Sequence, residues 1–195
     1  MLTPKLNDTF HGVPSARKRS SYPSKSAVEH EISNFLLEFI GGYNIPTSLV
    51  QESRPEVEFR PLVMIPLEIS VWNTAVGEYA KHLGLKDGYE MTIPVIEHRL
   101  KRPDLGTPLL NEFHIYSLGL ATPEQLRQMN RIAAKANIVL RSFFERRELR
   151  LDKLGLEFGL YEGQIMIGEE ISPRNCLFTE VRNPVNGGRS KEVGS

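Results

Sequence analysis

At Thr122 the chain writes an explicit helix start: a threonine in the capping position, a proline in the first turn and, three residues on, the glutamine of a capping box, Thr122-Pro-Glu-Gln125. The helix is predicted to run to about Arg146. Its apolar stripe is Leu126, Met129, Ile132, Ala133, Ala136, Leu140 and Phe143. Arg127, Arg131, Lys135 and Arg141 fall mostly on the other side, which reads as a solvated face rather than a binding surface. A stripe of this kind is stable only when laid against another element. The flanking segments alternate with period two and supply a sheet.

Upstream, Ser26 and Glu29 form a second capping box, and a helix from there places Val28, Ile32, Phe35, Leu36, Phe39 and Ile40 on one stripe until Gly41-Gly42 ends it. Pro61 and Pro66 bracket a short strand, 62–65, and a second strand covers 67–72, with Ile69 and Val71 opposite Glu68 and Ser70. This pair is the expected sheet centre. Residues 74–83 read as a short helix closed by Gly84, and 92–100 as extended chain. Downstream, 149–160 and 164–171 form a predicted hairpin around Tyr161-Glu-Gly163. Its first arm alternates at Leu149 and Leu151, then slips phase before Leu154, Leu156 and Phe158, which predicts a bulge at Asp152 or Lys153. No internal repeat is evident. The expected organisation is a loose arm or partial N-terminal lobe over 1–25, one domain over 26–182 and a disordered tail over 183–195.

Composition excludes several function classes. With 24 Lys+Arg against 24 Asp+Glu in 195 residues, no net field draws the chain to nucleic acid or to an anionic membrane. No apolar run approaches the roughly 20 residues of a membrane span, and no secretory h-region is evident, so a cytoplasmic location is expected. Cys176, the single cysteine, rules out an internal disulfide framework and lacks a recognisable base partner. The five histidines, His11, His30, His82, His98 and His114, have no metal-ligand spacing. The Arg17-Lys-Arg19 patch is too short to indicate a nucleic-acid site.

The hairpin carries the more pointed chemistry. Alternation turns Glu157 away from Leu156 and Phe158, and one of Glu169 and Glu170 should share its face across the turn. Two facing carboxylates repel unless a cation joins them. Mg2+ on one or two carboxylates plus nucleotide phosphates is one reading, and a solvated edge is the other.

Longer motifs carry a resemblance. Met64-Ile-Pro-Leu-Glu-Ile-Ser-Val-Trp-Asn73 is followed by Gly77 and Ala80-Lys-His-Leu-Gly84. Gly42 to Thr47, Asn111-Glu112, Gly119, Leu156-Glu-Phe-Gly159 and Gly168-Glu-Glu-Ile-Ser-Pro173 complete a series from about Asn7 to Pro173. Together they resemble the phosphoribosylaminoimidazole-succinocarboxamide synthase, or SAICAR synthetase, family. The resemblance implies a two-lobed α/β (α+β) fold, with an antiparallel sheet lobe truncated at the N-terminus and a larger mixed lobe. It implies an ATP-dependent carboxylate-amine ligase of purine biosynthesis that joins aspartate to carboxyaminoimidazole ribonucleotide, with ATP and Mg2+ as cofactors. By the same resemblance Leu62 and Met64 line an adenine slot, Glu68 lies near the ribose and Lys101 approaches the nucleotide. Asn73 orients the ribonucleotide, and Glu157 and Glu169 hold Mg2+. The implied partners are small molecules, with a homo-oligomer or association with a full-length homologue left open.

Departures from the family pattern cut the other way. A family arginine becomes Trp72, a serine becomes Glu78, and Asp-Phe-Lys becomes Lys153-Leu-Gly155. Further losses fall at Thr107, Arg174 and Leu177, and the N-terminal glycine-and-lysine segment that grips triphosphate has no counterpart. Lost positioning charges remove transition-state stabilisation. Impaired activity is therefore expected, with a catalytically inactive nucleotide-binding or partner-binding paralogue, or a decayed gene product, as the alternatives.

Overall fold

The computed structural model describes residues 25–50, 57–168 and 170–181. In chain order its elements are α1 (Lys25–Gly41), β1 (Leu49–Val50), β2 (Glu58–Phe59), β3 (Val63–Ala75), α2 (Gly77–His82) and β4 (Tyr89–Leu100). A 3-10 turn (Pro103–Leu105) leads to β5 (Leu109–Leu110), α3 (Glu112–Ser117), α4 (Pro123–Glu145), β6 (Leu149–Tyr161), β7 (Gln164–Ile167) and β8 (Cys176–Glu180). The expectations for the arm and the tail lie outside the described residues, apart from Lys25. So do those for Arg17-Lys-Arg19, His11 and the Ser26 side chain.

Among the described residues, an antiparallel sheet runs β5-β4-β3-β6-β7, and β8 also pairs with β6. Strand β6 gives one edge to β3 and divides the other, with 149–154 against β8 and 158–161 against β7. The slip expected near Asp152 is present as a register shift between Leu151 and Lys153. A smaller pair, β1 with β2, stands apart.

Helix α4 explains why one face of this sheet is closed. Thr122 Oγ1 accepts the Gln125 N–H at 3.2 Å, and Gln125 Oε1 accepts the Thr122 N–H at 2.8 Å, so the box satisfies two donors that a helix start leaves open. The stripe of Leu126, Met129, Ala133, Ala136 and Leu140 then buries against Leu67, Ile69 and Val71 of β3 and Leu154, Leu156 and Phe158 of β6. Each fully buried aliphatic side chain contributes about 1.5–3 kcal/mol. The core lies between α4 and this face.

Three expectations change. The two strands expected on either side of Pro66 are one continuous strand, β3; a register shift against β6 between Met64 and Glu68 accommodates the proline, whose missing N–H would break a regular ladder. The helix expected from residue 74 begins at Gly77, because Thr74 and Ala75 still pair with Glu90 and Tyr89 of β4. In α1 the buried side is Glu29, Ser33, Leu36, Leu37 and Ile40, while Val28, Ile32 and Phe35 face outward. The polar pair is buried because it has partners: Arg174 donates to Glu29 at 3.0 Å, and Ser33 Oγ accepts the Ile171 N–H at 3.0 Å.

Candidate functional site

Strand alternation puts the apolar row of β3 against α4, so its even-numbered side chains emerge on the opposite face. Glu68, Ser70 and Trp72 stand there. Register fixes their neighbours: Arg99, Glu97 and Val95 on β4, and Glu157, Gly155 and Lys153 on β6. Three strands thus present one charged face across the sheet centre.

Ion pairs and hydrogen bonds knit this face together. Lys101, just past β4, pairs with Glu157, whose side chain is only 12% exposed. Glu68 Oε1 accepts from Ser70 Oγ at 3.1 Å and from Lys153 Nζ at 3.3 Å. Trp72 Nε1 donates to Glu97 Oε2 at 3.1 Å, and Arg99 reaches the same oxygen at 3.5 Å. The indole stacks on Tyr79 of α2, with centroids 3.9 Å apart and planes inclined by 12°. Burial raises the Tyr79 phenol above its ordinary value, Glu97 adds to the rise, and Arg99 opposes it. Over the pair opens a cleft of about 580 Å3, bordered also by Glu78, Lys81, His82 and Leu109.

Toward the start of β3 the face becomes apolar. Leu62 and Met64 lie over Gly159 and Gly168; a Cβ on Gly159 would stand 2.7 Å from Leu62 Cβ, and one on Gly168 would stand 2.8 Å from Leu62 Cδ1. The two glycines let leucine and methionine settle onto the strand backbone. Met64 remains 42% exposed, so this shelf is open to a ligand. Leu62, Met64, Glu68, Lys101 and Glu157 therefore come together on one face.

Asn73 does not join them. It is 4% exposed on the helix-facing side, where its Nδ2 donates to Asn137 Oδ1 at 2.8 Å and to the Leu151 carbonyl at 3.0 Å. Asn137 Nδ2 returns a bond of 2.8 Å to Asn73 Oδ1. The odd parity of residue 73 turns it inward, where it ties β3 to α4. Glu169 lies outside the described residues. Its neighbour Glu170 pairs with His30 at 2.6 Å.

The donor set fits a hard divalent cation. Glu157 and Glu68 are direct partners across β3 and β6, and Lys101 already stands as a cation on Glu157. Among the described residues, no three His, Cys, Asp or Glu side chains gather into a cage. A metal here would take one or two protein carboxylates and complete its octahedron from phosphate and water, the usual Mg2+ arrangement. The neighbourhood of Glu97 and Arg99 was not singled out from the sequence, and Lys153 entered there only as a bulge position and a departure from the family pattern. Strand parity was the available signal, since Glu97 and Arg99 alternate with Ile96 and His98, and Lys153 shares parity with Glu157.

A sheet closed on one side by helices, and bearing on the other a charged face with a cleft at its Trp72 end and a glycine-floored apolar shelf at its Met64 end, defines an α+β protein. The sequence model of SAICAR synthetase matches residues 15–193. The phosphoribosylaminoimidazole-succinocarboxamide synthase of Prosthecochloris aestuarii is 40% identical over 167 residues, covering 85% of this chain and 71% of the relative. That of Clostridium perfringens strain SM101 is 34% identical over 166 residues, with the same coverages. Among solved structures, a SAICAR synthetase from Pyrococcus horikoshii aligns with a TM-score of 0.76 at 27% identity, covering 84% of this chain and 72% of the other. A SAICAR synthetase solved with ADP gives 0.76 at 28% identity, covering 84% and 71%. The chain belongs to the SAICAR synthetase family.

Proposed function

We propose that this protein is an ATP-dependent ligase that joins the amine of aspartate to the carboxylate of carboxyaminoimidazole ribonucleotide. The observation that carries the reading is the placing of an apolar shelf, Leu62 and Met64 over Gly159 and Gly168, directly beside the Lys101–Glu157 and Lys153–Glu68 pairs. A purine ring needs an apolar slot with close backbone, and a polyphosphate needs ammonium groups next to it. The relative solved with ADP supports a nucleotide as ligand. In this reading Glu68 meets the ribose, Lys101 swings from Glu157 to the phosphates, and Glu157 with Glu169 holds Mg2+. When bound there, Mg2+ supplies charge neutralisation for phosphate oxygens. Asn73 contributes indirectly, by fixing β3 to α4. The setting is the cytoplasm, and no described helix is long and apolar enough to cross a membrane.

The test is ADP release by purified protein supplied with ATP, Mg2+, aspartate and the ribonucleotide. Turnover that needs all four components and falls at least 100-fold in Glu157→Ala is expected, since a residue ordering charge in the transition state commonly supplies about 3 kcal/mol. Turnover no higher than in Glu157→Ala would reject the ligase. A second reading, nucleotide binding without ligation, is favoured by Glu78 on the rim of the cleft, where an acid opposes an anionic substrate. Calorimetric ATP binding in a protein without turnover would support it.

A further inference from the structure

The chain has five methionines, and their surroundings differ sharply. Met129 is 0% exposed and Met166 7%, Met91 of β4 is half-buried, and Met64 is 42% exposed; Met1 lies outside the described residues. Met64 is thus the most open methionine among the described residues, yet it is tightly seated from below. A Cβ on Gly159 would stand 3.1 Å from its Sδ, and one on Gly168 would stand 3.0 Å from Sδ and 3.2 Å from Cε, so the thioether fills the space those side chains would take. The backbone donors of that floor are already engaged. Gly168 N–H donates to the Glu157 carbonyl at 3.0 Å, and Gly159 is a ladder residue on both edges, paired with Met64 and with Met166. An oxygen added to the sulfur finds neither room nor a donor beneath it and must point up into the slot.

We propose that Met64 is an oxidation site, at which a peroxide converts the thioether to a sulfoxide that closes the apolar shelf to a nucleobase. The sulfur lone pair attacks one oxygen of hydrogen peroxide, and the O–O bond breaks. Hydroxide leaves, takes the proton from the transferred oxygen and becomes water, so the sulfur is oxidised by two electrons and the peroxide reduced by two. Exposure governs which methionine reacts, which favours Met64 over Met91, Met129 and Met166. The product is polar and chiral where an apolar side chain stood. Covering its oxygen with an aromatic ring costs free energy that no hydrogen bond on the floor returns, and swinging the side chain out of the slot removes the lining instead. A methionine sulfoxide reductase with two thiols restores the thioether, giving a disulfide and water. That the loss falls on ATP rests on the nucleotide reading of the shelf; the oxidation of Met64 does not.

The experiment treats the intact protein with graded hydrogen peroxide and maps each methionine by peptide mass spectrometry. Calorimetry measures ATP–Mg2+ binding before treatment, after it, and after incubation with methionine sulfoxide reductase and dithiothreitol. Met64 is expected to oxidise roughly fivefold faster than Met91, and saturating ATP–Mg2+ to slow Met64 alone. Its oxidation should weaken ATP binding roughly tenfold, and the reductase should restore it. Met64→Leu, whatever its starting affinity, should keep that affinity through the same treatment, whereas Met91→Leu should lose it as the parent does. Affinity unchanged with Met64 fully oxidised, an equal loss in Met64→Leu, or Met91 reacting first would each overturn the assignment. Near-UV circular dichroism should stay constant on treatment; a signal lost in step with ATP binding would mean unfolding and overturn it too. Parent protein that binds no ATP before treatment would remove the nucleotide reading, and the oxidation site would then be sustained by Met64 reacting first and overturned by Met91 doing so.

Discussion

Asn73 and Asn137 exchange two amide hydrogen bonds inside the molecule, and the Leu151 carbonyl takes the remaining Asn73 donor. Truncating one member strands the polar groups of the others in a low-dielectric interior. Asn73→Ala is expected to lower stability by about 2–4 kcal/mol, and Asn73→Ala combined with Asn137→Ala to lower it by less than the sum of the single changes. Urea unfolding of the three variants measures both effects, and strict additivity would break the argument. The motif that contains Asn73 was readable, but its direction was not. Parity alone turns 73 with Ile69 and Val71 toward the helix, whereas the family resemblance suggested a ligand. For Glu157 parity and resemblance agreed, and the carboxylate stands on the open face as the alternation of Leu156 and Phe158 required.

Legibility at the scale of elements followed how local the determinants are. The start and end of α4 were written in a capping box and a stripe contained within one segment, and the slip in β6 was visible as a change of phase. Which side of α1 is buried depended on Arg174 and Ile171, more than 130 residues away, and no local pattern could announce that. The continuity of β3 through Pro66 likewise depended on neighbouring strands absorbing a register shift. The closure of β6 onto the 172–175 turn rests on Gly155, whose N–H donates to the Asn175 carbonyl at 2.8 Å. Gly155→Ala forces a methyl against main chain and is expected to cost about 1–3 kcal/mol, the usual range for overpacking. Thermal unfolding checks the loss. An unchanged Tm would mean that the turn yields freely.

Considered whole, the molecule keeps its charges on one face of the sheet and its core on the other, and Cys176 lies on the core side at 3% exposure. Burial pushes its thiol up to about 12, against smaller lowering effects from the Gly155 backbone and Lys153. The unfolded thiol ionises near 8.5. A folded value above the unfolded one means that the neutral thiol favours the fold fully below about pH 8.5, and that this contribution falls by up to about 1.4 kcal/mol per pH unit as pH rises toward 12. Thiol labelling at pH 8.5 is accordingly expected to be slow in native protein and to accelerate with urea in step with global unfolding; rapid native labelling would place Cys176 on a mobile edge. Strand β6, held by β3 on one edge and by β7 and β8 on the other, carries a last implication. Because neither edge can slip, a cation can be relocated along this strand only in steps of two residues, about 6.6 Å. Lys153 stands one such step from Gly155, and Glu157 one step beyond it. A charge on this face of β6 can therefore stand only at alternate positions, and Gly155, closed by the Asn175 carbonyl, is not one of them.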